Sequence, residues 1–135
     1  MSAKSISPVE EWLAISATHD PAVYKIDFQE HHIGNPIIRS VHGGVVGSLI
    51  EFAAEGYLTS CLEKDGRICD VEVTTSSIDY LRVTKDAPLF AKAEIVRIAR
   101  RIAFIDVWVW QDSEDLLVSR GACTLRIVEK PSEQS

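Results

Sequence analysis

From Gly44 to Lys64 the chain sets Val45, Val46, Leu49, Ile50, Phe52, Ala53, Ala54, Tyr57, Leu58, Cys61 and Leu62 around every side of a helix instead of along one stripe. A helix that is apolar all round has to be enclosed by other elements. With 135 residues, 46% of them hydrophobic and 25% charged, the chain can build one core without disulfides or metal, so the enclosure has to come from the same single domain, residues 1–135. The enclosing material follows the helix. "DVEVTTSSIDYLRV", "PLFAKAEIVRIAR", "RIAFIDVWVWQ" and "LLVSRGACTLRIV" are long and rich in β-branched or aromatic residues, with "TKDAP" and "DSED" among the turns that bound them. Four successive hairpin strands after one buried helix predict an α+β domain with a mostly antiparallel sheet and the helix against one face. "EKDG" stops that helix, with Gly66 suited to a left-handed C-terminal cap.

Ahead of the helix, "SPVEEWLAISA" offers Ser7 as N-cap, Pro8 at the first helical position and Glu10 at the capping-box position, which predicts a short leading helix to about Ala17 within residues 1–20. "AVYKIDFQE" alternates, with Tyr24, Ile26 and Phe28 opposite Lys25 and Asp27, as a half-buried strand does. "HHIGNPIIRS" carries Gly34, Asn35 and Pro36 and reads as a loop. No repeat, linker or second domain is visible, and "EKPSEQS", residues 129–135, reads as a frayed tail.

A net charge of −6 disfavours broad contact with nucleic-acid phosphate or anionic lipid. The N-terminal residues lack the apolar core of a signal peptide, and no stretch reaches the roughly 18 uncharged apolar residues of a membrane span, so a cytoplasmic protein is expected. Cys61, Cys69 and Cys123 are odd in number and widely spaced, which fits small packed thiols rather than a disulfide framework or a zinc site. His19, His31 and His32 lack metal-ligand spacing, His31 and His32 reading as polar loop residues, and no metal or cofactor is expected. Trp108 and Trp110 share a strand face with Phe104, an arrangement expected in the core or an oligomer interface rather than in a substrate pocket.

Two carboxylates interrupt the apolar helix, Glu51 and, one turn later on the same side, Glu55. Burying a charged carboxylate costs several kcal/mol unless it is paired or takes up a proton. One reading makes the pair a narrow solvated stripe. The other makes it part of a site, because Gly43 and Gly44 stand where the helix begins and its first N–H groups have no intrahelical acceptor. Glycine lets a ligand approach them closely. An oxyanion donor and a base or nucleophile would then share one small site.

"NPIIRSVHGGVVGSLIEFAA" resembles the signature of hotdog-fold acyl-CoA thioesterases of the phenylacetic-acid-degradation and 4-hydroxybenzoyl-CoA type: an Asn or Gln, then His-Gly-Gly, then an acid nine positions after the His. The likeness extends over roughly residues 23–128. It implies a hotdog fold, a mostly antiparallel sheet wrapped around one long central helix, paired into a homodimer or a dimer of dimers with active sites at the subunit interface. It also implies hydrolysis of an acyl-CoA thioester to free acid and CoA. By position, the Gly43 amide would polarise the thioester carbonyl and Glu51, from the opposite subunit, would attack it or activate water. Asn35 would orient water or the carbonyl, and His42 would hold the loop.

Gly44, Glu55, Arg82, Arg100 and Arg101 would contact substrate. Glu55 would read a polar acyl group or face solvent. The arginines, with Arg97, would bind CoA phosphates or serve only as solvated strand ends. The resemblance also implies a Ser or Thr on the strand facing the helix, for which Thr74, Thr75, Ser76 and Ser77 are available. Such chemistry needs no cofactor, since a thioester is electrophilic and its thiolate leaves readily. Two rival functions on the same fold are an enoyl-CoA hydratase/dehydratase and a non-catalytic acyl-CoA-binding module. The Pro-Gly-Val turn typical of the former is missing before Glu51.

Overall fold

The computed structural model describes residues 8–131. The elements run α1 (Pro8–Leu13), β1 (Ile15–Ala17), β2 (Val23–Ile26), a 3-10 turn (Glu30–His32), β3 (Ile33–Asn35), β4 (Ser40–Val41), α2 (Gly43–Lys64), β5 (Cys69–Tyr80), β6 (Leu89–Ile98), β7 (Ile102–Trp110) and β8 (Leu117–Glu129). Six strands form one sheet in the order β1-β2-β6-β7-β8-β5, with every neighbouring pair antiparallel. The sheet curls around α2, which packs on β2, β5, β6, β7 and β8. This is the hotdog arrangement that the sequence implies.

The enclosure works because the inner face of the sheet is lined with small residues. Ala91, Ala93 and Ala103 are fully covered, facing Leu49, Ile50, Ala53, Ala54 and Leu58 of the helix, which are 0% exposed. Gly121 is a point of close approach: a Cβ there would lie 2.5 Å from Ile50 Cγ2. By length and mean hydropathy α2 would also pass for a membrane-crossing helix, but its apolar residues are the core of this domain. Gly66 has φ +74, the left-handed backbone expected at its end.

Several sequence expectations are corrected. The leading helix stops at Leu13, because Ala14 takes a positive φ of 57 and its N–H bonds the Glu11 carbonyl, so the chain turns and residues 15–17 pair with β2 as a strand. Ser7, the expected N-cap, lies outside the described residues. The segment read as a loop contains the β3–β4 hairpin. Of the stretch read as a frayed tail, Glu129 pairs in β8 and with Arg67 and the Lys130 N–H bonds the Ile68 carbonyl, and residues 132–135 lie outside the described residues.

His32 is not a surface loop residue but 1% exposed. Its Nδ1 accepts the Gln29 N–H and its Nε2 donates to the Trp12 carbonyl, which His31 Nε2 also reaches. The aromatic residues of β7 lie on the outer face, since Ala103, Ile105, Val107 and Val109 take the inner one; Trp110 is buried there by stacking on Phe90, and Phe104 is exposed.

Two outcomes test this packing. Gly121→Ala forces a methyl against a β-branched side chain that cannot swing away, and it should lower unfolding free energy by about 1–3 kcal/mol in urea titration. His32 holds its proton less readily than an ordinary histidine, chiefly because burial disfavours the charged ring. The unfolded chain therefore binds more protons, so this contribution to stability is complete above the ordinary histidine range near 6.5 and is lost as pH falls below it. Urea midpoints between pH 7.5 and 5.5 should fall more steeply for the wild type than for His32→Gln; equal slopes would contradict the assignment.

Candidate active site

The helix start is held from two sides. The His42 N–H bonds the His32 carbonyl at 2.7 Å, and Thr84 brackets Val41 through its carbonyl and its hydroxyl. Gly34 lets β3 come close enough that a Cβ there would sit 2.9 Å from His42 Cα. His42 is the N-cap of α2: its Nδ1 accepts the Gly44 N–H at 3.0 Å and its carbonyl accepts the Val45 N–H at 2.9 Å. A ring whose Nδ1 accepts a backbone amide carries its proton on Nε2. These bonds leave the Gly43 N–H as the amide with no acceptor among the described residues, at the positive end of a 22-residue helix.

Gly43 is exposed and flanked by two crevices. One, of about 400 Å3, is bounded by Ile38, Val46, Tyr80, Leu81 and Arg82. The other, of about 710 Å3, is bounded by Trp12, Leu13, His31, His42, Gly44 and Val45. Tyr80 donates its hydroxyl to the Gly43 carbonyl at 3.1 Å and so fixes the peptide that follows the free amide. Tyr80 and Trp12 did not emerge from the sequence as site residues. Their only signal was being aromatic and polar-tipped near predicted element ends.

Glu51 is half-buried, with Oε2 accepting the Ser76 hydroxyl at 3.0 Å. The strand register explains why Ser76, among the four candidate hydroxyl residues, faces the helix. Val73 pairs with Leu125 but Thr75 pairs with Thr124, so Thr74 is the extra residue of a bulge. Before the bulge the odd positions Cys69, Val71 and Val73 face inward; after it Ser76, Ile78 and Tyr80 do, opposite the buried Cys123, Gly121 and Ser119. Thr74 instead bonds the Thr124 carbonyl.

Glu55 is half-buried and bonded rather than solvated: Oε1 accepts the Val73 N–H at 3.3 Å. Burial pushes its carboxyl above the ordinary range, the Val73 bond opposes that, and the nearby negative charge of Glu51 adds to it. Beneath the pair, burial with the Glu51 charge pushes the Cys123 thiol up to about 11, which keeps it protonated and inert. Among the described residues no His, Cys, Asp and Glu cluster could hold a metal ion.

The other sequence candidates spread out. Asn35 is exposed at the end of β3, its Oδ1 accepting the Ile37 N–H in a local turn, which leaves its amide donors outward. Arg82 shares the crevice with Gly43. Arg100 and Arg101 lie at the opposite end of the helix, where Arg67 donates to the Arg100 carbonyl and the Arg101 carbonyl accepts the Ile127 N–H. Arg97 sits beside Phe104 on the outer face. One chain therefore does not gather these arginines. Nor does it bring Gly43 to Glu51, since eight residue steps along the helix separate them by about 12 Å.

Comparison with known proteins agrees with this fold. A sequence model of the Thioesterase superfamily matches residues 39–118. A solved protein from the thioesterase superfamily is 27% identical over 90% of this chain and 89% of its own, with a TM-score of 0.75. A Bacillus halodurans protein solved with CoA is 18% identical, covering 92% and 78%, with a TM-score of 0.78. A putative thioesterase from Ralstonia eutropha, phenylacetic acid degradation-related, is 22% identical, covering 91% and 92%, with a TM-score of 0.72. No curated protein matches in sequence. The family match takes in the His42 cap, the Gly43 amide, both helical carboxylates and the bulged strand, and this chain belongs to the thioesterase superfamily.

Proposed function

We propose that this chain hydrolyses acyl-CoA thioesters to the free acid and CoA, with the site completed by a second copy of the chain. The observation that carries the reading is the unengaged Gly43 N–H at the start of a buried helix, in a chain whose third helical turn holds a half-buried carboxylate. A thioester oxygen resting on that amide gains charge in the transition state, which the amide and the helix dipole stabilise. The attacking oxygen approaches the carbonyl carbon from the opposite face, within about 3–3.5 Å. Glu51 of the same chain is too far along the helix for that. Glu51 of a second copy satisfies it if the two helices run antiparallel, and β5, a sheet-edge strand of 12 residues, is the element available to pair the copies.

In this reading Glu51 either adds directly to the carbonyl carbon, giving an anhydride that water then opens, or takes the proton of a water that adds. In both routes the C–S bond breaks as the oxyanion collapses, and the CoA thiolate leaves with its electron pair. Asn35, with its donors free, orients the water or the carbonyl. Arg82 is the phosphate contact within the chain, and Arg100 and Arg101 serve only from the second copy. The CoA bound to the Bacillus halodurans protein supports this substrate class.

The test is thiol release from acetyl-, octanoyl- and phenylacetyl-CoA, with crotonyl-CoA followed separately for loss of its conjugated double bond. Thiol release that drops by about 10³-fold or more in Glu51→Gln, with the CD spectrum and dimer retained, is the expected result for loss of the base or nucleophile. Hydration of crotonyl-CoA without thiol release would instead assign the hydratase activity, and an active Glu51→Gln enzyme would remove Glu51 from the chemistry.

A further inference from the structure

The Glu55 carboxylate, half-buried one turn beyond Glu51, borders a crevice of about 470 Å3 with Tyr24, Phe52 and Val71, and its Oε1 is engaged by strand backbone, accepting the Val73 N–H. We propose that Glu55 is a positioning residue: by accepting the Val73 N–H it fixes the β5 bulge, and the bulge presents the Ser76 hydroxyl to Glu51. This rests on the thioesterase reading of Glu51 but concerns a different residue acting at one remove.

Four observations lead to it. The Val73 amide is the last before the extra residue, and its acceptor is the Glu55 side chain at 3.3 Å. The parity of β5 changes at that point, so without the bulge Thr75 and Ser77 would face inward and Ser76 would point to the outer face. On the other strand nothing forces the change, because β8 runs on through Leu125, Thr124 and Cys123 with no insertion. Finally, the two carboxylates are tied to the same strand on opposite sides of the bulge, Glu55 to Val73 before it and Glu51 to Ser76 after it. A register slip of one residue moves a side chain to the other face, so the acceptor at position 55 decides which hydroxyl Glu51 meets. The sequence offers no other selection among Thr74, Thr75, Ser76 and Ser77.

The role requires a hydrogen-bond acceptor of this length at position 55 and does not require a charge. Glu55→Gln should therefore keep kcat near the wild-type value, whereas Glu55→Met, of similar length but unable to accept, should lower kcat by about 10- to 100-fold with KM little changed, the loss that a misplaced group brings. Because Glu55 acts through Ser76, Glu55→Met combined with Ser76→Ala should be no slower than Ser76→Ala alone. Amide exchange at Val73 should quicken in Glu55→Met and stay protected in Glu55→Gln. Should Glu55→Met fail to fold, Glu55→Asp, one methylene short of the amide, is expected to behave the same way.

A Gln variant as impaired as the Met variant, a loss carried mainly by KM, or multiplicative effects of the two substitutions would overturn the proposal. Any of these could occur while Glu51→Gln still abolishes thiol release, so the two readings fail separately. If none of the three thioesters is turned over, the exchange at Val73 alone decides: protection unchanged in Glu55→Met ends the positioning role, and lost protection upholds it.

Discussion

Enclosing α2 governs where everything else in this molecule can lie. Its apolar residues leave no face for water, and each fully buried Leu or Ile contributes roughly 1.5–3 kcal/mol relative to exposure. A flat sheet covers only one side of a helix. Curling five strands around it covers the rest, at the cost of crowding, and Ala91, Ala93, Ala103 and Gly121 are the residues that relieve the crowding. The open places that remain are the rim positions: the first turn, where helix amides end, and the line along the β5 edge, where the carboxylates of Glu51 and Glu55 emerge. The site is at the rim because the enclosure leaves polar groups nowhere else to go.

That layout was largely legible from the residues. The all-round apolar run located α2 to within one residue, and length, β-branched and aromatic content and the bounding turns located the four long strands. The glycine pair marked where the helix begins, and His42 proved to be its N-cap. What escaped depends on backbone geometry that no single residue type announces. Ala14 is a good helix former by propensity, yet its φ of 57 ends α1. The bulges at Thr74 and Val96 fall within stretches whose composition does not change across them, so inward parity could not be followed through "TTSS". His32 looked like a loop residue because its acceptor, the Trp12 carbonyl, is 20 positions away. The arginines looked like one concentration because strands turn sequence proximity into distance: the 20 residues from Arg82 to Arg101 run nearly the length of the sheet.

The strand edge and the candidate site are one problem in this fold. β5 pairs with β8 on one side only, so its other side presents backbone groups that invite another strand. One of those groups, the Val73 N–H, already has the Glu55 carboxylate, and the bulge beside it interrupts the ladder. A second copy pairing along β5 in the proposed dimer therefore meets a strand whose register is set internally. That matters because the reaction proposed for the site tolerates little error: a donor on one copy and a carboxylate on the other have to converge on one carbonyl group.

Identical chemistry at two positions becomes different chemistry through the partners each is given. Glu51 is held by a hydroxyl, which rotates about its own bond and can turn its hydrogen elsewhere; the bond can be surrendered during a reaction and remade after it. Glu55 is held by a backbone amide within a sheet, which cannot turn. Burial, with the neighbouring charge of Glu51, raises the Glu55 carboxyl above its ordinary range, and a carboxyl that takes up a proton still accepts through its unprotonated oxygen, so the bond to Val73 does not depend on charge. Two carboxylates one turn apart repel when both are ionised. The different partners thus divide two like residues into a fixed member and a movable one. In this chain the division follows from which atom of β5 each carboxylate happens to meet, and the one-residue bulge at Thr74 determines both meetings.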